Sequence, residues 1–103
     1  MASPRETQFQ KLSEDFPESP MGHFSLGRLY LEERRYAEAV TALEKAVGAD
    51  GTYAAALVSL GEAYLGMGNV ASARTTWETA RDHALAQKHP GLAEEIEEKL
   101  RDL

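Results

Sequence analysis

Apolar residues along this chain recur at helical rather than alternating spacing, and they do so twice in the same order. Leu26, Leu29 and Tyr30 share one face of a segment that opens at Pro20, a residue suited to the first turn of a helix. After a turn at Glu33, Arg34 and Arg35, a second helix turns Tyr36, Val40, Leu43 and Val47 inward, with Ala39 and Ala46 at its closest approaches. Turn chemistry at Gly48, Ala49, Asp50 and Gly51 ends it. The plan then repeats, with Leu57, Leu60, Tyr64 and Met67 inward, a tighter turn at Gly66, Met67, Gly68 and Asn69, and then Val70, Ala73, Trp77, Ala80 and Leu85. Two helical hairpins are predicted.

The two hairpins are in register. Ser25, Leu26, Gly27, Tyr30, Leu31, Ala37, Ala39, Thr41, Glu44 and Ala46 recur as Ser59, Leu60, Gly61, Tyr64, Leu65, Ala71, Ala73, Thr75, Glu78 and Ala80, each 34 residues later without a gap. That is the period of a helix-turn-helix solenoid. Antiparallel helices close to about 8–10 Å only where small side chains meet. A glycine inside a helix costs up to about 1 kcal/mol against alanine, so Gly27 and Gly61 at one phase need a packing reason. Close contact with Ala39 and Ala46, and with Ala73 and Ala80, is the expected one.

The flanks continue the pattern. Carried backwards, the phase puts Phe9, Leu12 and Pro17 where the second helix of an earlier unit would carry its aromatic, its alanine and its closing proline. Carried forwards, the chain restarts at His89, Pro90 and Gly91. Leu92, Ile96, Leu100 and Leu103 then form a narrow apolar stripe opposite Glu94, Glu95, Glu97, Glu98, Lys99 and Arg101, with Glu95–Lys99 and Glu97–Arg101 at pairing distance along a helix. Such a helix ends a solenoid by burying its stripe and wetting its other face.

The residues Leu26, Gly27, Tyr30, Ala39, Leu43 and Ala46, matched by Leu60, Gly61, Tyr64, Ala73, Trp77 and Ala80, resemble the tetratricopeptide repeat. His23 stands at the usual opening aromatic, a position that in the resembled family packs inward, and Gly51 and Leu85 stand at the closing proline. The resemblance implies an all-α fold: antiparallel helical hairpins stacked as a short right-handed α-solenoid with a C-terminal capping helix. One domain over residues 1–103 is expected, with an N-terminal half repeat at 5–19, repeats at 20–53 and 54–87, and the capping helix at 90–103.

Composition and charge narrow the function. The chain carries a net charge of −6 with scattered Lys and Arg, so no basic stripe exists for nucleic acid. The first ten residues lack the apolar core of a signal peptide, and no apolar run approaches the roughly 20 residues that span a bilayer. Without cysteine there is neither a disulfide framework nor a thiolate metal site, consistent with a cytoplasmic setting. His83 and His89 lie six apart, not at the four-residue spacing of a helical zinc pair, so no metal ligand set is expected. No nucleophile elbow, phosphate loop or dinucleotide fingerprint occurs, and Ser25 and Ser59 have no base near them in sequence. Neither an enzyme nor a cofactor is predicted.

In the resembled family the first helices of successive repeats line a concave groove that receives peptides. By position, Met21, Phe24, Arg28, Leu31 and Glu32 would line it from the first unit, and Ala55, Val58, Ser59, Glu62 and Leu65 from the second. The resemblance therefore implies a protein–protein interaction module holding a peptide or helix of a partner protein, with Phe24, Leu31 and Val58 as apolar anchors and Arg28 and Glu62 setting register. Equally, Arg28 and Glu62 stand where they could pair with each other. The Lys and Asn set that clasps acidic chaperone tails is missing, because Phe24, Arg28 and Ser59 replace it.

A second expectation is a homodimer or scaffold formed through the uncovered N-terminal helix, with Phe9, Leu12 and Phe16 at its edge. A third places the activity in another domain of a longer protein. Met1 and the amphipathic last helix argue for an untruncated chain.

Overall fold

A computed structural model describes residues 2–103; Met1 lies outside the described residues. Among them run six helices: α1 (Pro4–Asp15), α2 (Pro20–Glu32), α3 (Tyr36–Ala49), α4 (Ala54–Gly66), α5 (Val70–Ala86) and α6 (Pro90–Arg101). Proline opens α1, α2 and α6, where its missing N–H is not needed. Ser3, Ser19 and Asn69 cap α1, α2 and α5 by accepting from Glu6, Met21 and Ser72 N–H groups.

Three helices end in the same left-handed turn. The N–H groups of Arg35, Asn69 and His89 reach back to the carbonyls of Tyr30, Tyr64 and Ala84 at 2.8, 2.9 and 2.8 Å. The residue at positive φ is Gly68 after α4 but Arg34 after α2 and Lys88 after α5, with φ of 79°, 58° and 61°. Only the glycine adopts it without steric cost.

Each helix packs on its neighbour in the chain, giving adjacent hairpins in a body of 38 × 28 × 18 Å, and α2 also touches α4 directly. One core cluster joins Leu26, Tyr30, Ala39, Val40, Ala42 and Leu43 to Leu60 and Ala63 of α4. The other joins Leu57, Trp77, Ala80 and Ala84 to Ala93 and Ile96 of α6. Val47 packs against both clusters.

Gly27 and Gly61 sit at the crossings, under larger residues than expected. A Cβ on Gly27 would lie 2.5 Å from Leu43 Cγ, and one on Gly61 would overlap the Trp77 indole. The flanking alanines 39, 46, 73 and 80 are fully buried. Gly22, which the sequence reading passed over, approaches the α1 backbone so closely that a Cβ would lie 2.6 Å from Ser13 N. Its counterpart 34 residues on is Ala56, also fully buried, so smallness at one phase was the available signal.

Three residues expected inside are outside: Met67, Val70 and Leu85 are exposed. Met67 lies in the turn, Val70 begins α5, and Leu85 lies near the end of a helix of 17 residues against 14 for α3.

Candidate functional site

Phe24, Arg28 and Leu31 fall at i, i+4 and i+7 on α2, which aligns them along one helix face. Val58, Glu62 and Leu65 repeat that spacing on α4, 34 residues later, and the two helices are in contact. The result is two neighbouring rows, each apolar, charged, apolar.

The rows differ in how far they are open. Phe24 is half-buried, resting on the first core cluster and edge-on to Tyr53 with ring centroids 5.1 Å apart. Leu31 is half-buried on the same cluster. Val58 is half-buried, and its carbonyl accepts the Trp77 indole N–H at 3.0 Å, which locks the backbone beneath the second row. Arg28, Ala55 and Met21 are exposed, and Leu65 is 38% exposed.

Two expectations need correction. Ser59 is only 3% exposed, because it lies one turn before Ala63 on the side of α4 that packs against the first hairpin; it cannot line an open groove. Arg28 and Glu62 do not pair. Glu62 instead meets Lys99 of α6 at 3.5 Å, and Lys99 also lies 5.8 Å over the Trp77 ring. Lys99 is thus drawn to α4 rather than to Glu95, and Glu97 and Arg101 form no ion pair. Among the described residues Arg28 has no carboxylate within ion-pair distance.

At the N-terminal edge, Leu12 is exposed and Phe16 is 53% exposed. Phe9 is not free: it packs against the first core cluster and carries the Arg5 guanidinium 5.8 Å above its ring.

A polar junction that the sequence did not announce fastens α1. Glu6, buried at a place where the phase puts Val40 in the next unit, accepts from Arg35 at 2.7 Å and from the Tyr30 hydroxyl at 3.3 Å. Arg35 also bridges Glu33 at 2.9 Å and Glu38 at 2.5 Å, and lies 4.5 Å over the Tyr30 ring. Hydrogen bonds from Arg35 hold the Glu6 and Glu38 carboxyls below the usual carboxylate range, and burial pushes the Tyr30 hydroxyl up. Every polar member is engaged within the fold, so the junction reads as an anchor.

Behind it, a cleft of about 640 Å³ opens between α1 and α3, lined by Ser13, Glu14, Pro17, His23 and Lys45 among others. His23 is buried in its floor, as its repeat position implies, with Nε2–H donating to the Pro17 carbonyl at 3.0 Å.

Whole-sequence comparison with curated proteins finds no match. Among solved structures, the chain is similar to the solution structure of protein BPP2914 from Bordetella parapertussis. That match has a TM-score of 0.81 and 25% identity over 99% of this chain and 88% of that one. It is also similar in fold to the N-terminal domain of stress-induced protein-1 (STI-1) from C. elegans. There the TM-score is 0.71 and identity 21%, over 88% of this chain and 77% of that one. The model of the tetratricopeptide repeat matches residues 30–89, more than half of the chain. With two hairpins in one 34-residue register and glycine at each crossing, the chain belongs to the tetratricopeptide repeat family.

Proposed function

We propose that this chain binds a peptide segment of a partner protein across the paired faces of α2 and α4. Domains of its family are generally protein–protein interaction modules and typically non-catalytic. The observation that carries the reading is the pair of matched rows on touching helices, which leave Phe24, Arg28, Leu31, Ala55, Val58 and Leu65 wholly or partly open. A few apolar anchors around a charge suit a short ligand held at defined points. Peptide display against the full chain tests it. Selected peptides are expected to lose binding to the Phe24→Ala/Arg28→Glu variant, and undiminished binding would refute the groove assignment.

Exposed Leu12 and Phe16 favour a second reading, self-association through the N-terminal edge. Light scattering across protein concentration distinguishes it: a dimer abolished by Leu12→Glu with Phe16→Glu supports that contact, and a monomer at high concentration removes it.

A further inference from the structure

Resting on the groove reading, we propose that its ligand is an extended peptide whose acidic side chain lies between two apolar ones and pairs with Arg28. Two carboxylates on these helices, Glu32 and Glu62, are already engaged by cations from the end helices. Glu32, one turn further along α2, meets Arg5 of α1 at 3.5 Å, and Glu62, the matched residue on α4, meets Lys99 of α6 at 3.5 Å. Arg28 is exposed and has no such partner among the described residues. Three cations therefore stand with two carboxylates, and the surplus charge sits on a guanidinium suited to grip a carboxylate with two parallel hydrogen bonds. The exposed pairs contribute little to stability, but they remove the neighbours that would otherwise neutralise Arg28.

Spacing supplies the rest. Along α2, Phe24 lies about 6 Å below Arg28 and Leu31 about 4.5 Å above it. Alternate side chains of an extended peptide lie about 6.6–6.8 Å apart on one side. The Phe24–Arg28 step is close to this and the Arg28–Leu31 step about 2 Å shorter, a difference that a flexible leucine side chain spans, so the pattern is apolar, any, acidic, any, apolar. A C-terminal carboxylate at Arg28 would leave Phe24 or Leu31 uncovered, so the acid is an internal side chain. The overall charge of −6 favours basic ligands at long range, and a preference for acid can come only from the local arrangement.

The test is an NMR titration of the full chain with acetylated, amidated Leu-Ala-Glu-Ala-Leu and its central Gln and Lys counterparts. The Glu probe is expected to shift the amides of residues 24–31 and 58–65 and to bind about two- to fivefold more tightly than the Gln probe, the size of one exposed ion pair. Arg28→Glu should reverse the order in favour of Lys, while Glu62→Gln with Lys99→Gln should preserve it. Equal binding of the three probes in the groove overturns the acidic assignment and leaves the groove reading standing. Shifts confined to residues outside α2 and α4 overturn both. No binding of the Glu probe at millimolar concentration overturns the acidic assignment alone, since display selection decides the groove separately.

Discussion

Helix α6 closes one end of the stack by burying Ala93 and Ile96 against Leu57, Trp77, Ala80 and Ala84. Helix α1 closes the other end with Glu6 and Ser13 as its buried residues, while Phe9 is half covered. Besides Phe9 and the close approach of Gly22, α1 is fastened by the Glu6 carboxylate, gripped by Arg35 and Tyr30 across the junction with α2 and α3. The apolar contact that dominates at α6 is indifferent to protonation, whereas part of what holds α1 depends on a carboxylate staying charged. One end of this small stack is therefore the more sensitive to pH.

The comparison breaks first under truncation of side chains. Ile96→Ala is expected to cost about 2–5 kcal/mol, and Leu12→Ala, at the exposed face of α1, to stay within about 0.5 kcal/mol. Equal losses in denaturant unfolding would mean that the two ends are held alike. Gly22→Ala probes the α1 crossing itself, because its Cβ meets backbone rather than a movable side chain. A cost of about 1–3 kcal/mol is expected from overpacking, with exchange protection lost from α1 while α4–α6 keep theirs.

Acid should separate the ends without mutation. Glu6 and Glu38 are held below the ordinary carboxylate value of 4.5, so the stability they contribute is complete above that pH and is lost as pH falls through their lowered folded values. Amide protection of α1 should therefore fall on acidification before that of α6, and Arg35→Met should flatten the difference. The smallest effect belongs to the turns. Arg34→Gly relieves a left-handed residue at the cost of a floppier unfolded chain, for a net gain of about 0.5–1 kcal/mol in thermal unfolding.

The hairpins were readable because each helix repeats a spacing that local geometry dictates: large residues at i, i+3 and i+4, a small one at the crossing, and a turn after it. Met67, Val70 and Leu85 misled because periodicity carries no information about where a neighbouring helix stops. Of the proposed groove, the sequence supplied the positions on each helix but not their exposure. The 34-residue register put Phe24, Arg28 and Leu31 on α2 in phase with Val58, Glu62 and Leu65 on α4, but the burial of Ser59 depends on how closely α4 leans on the first hairpin.

The chain's own order of residues determined its helices, their pairing into hairpins and the 34-residue register, since these follow from contacts between residues near in sequence. Which charges remain free was decided only in the folded molecule. Arg5 and Lys99 stand 27 and 37 residues from the carboxylates they meet, Glu32 and Glu62, and an ion pair between exposed side chains leaves no periodic trace. It forms where packing happens to bring the helix ends together, and that packing is what leaves Arg28 without a partner.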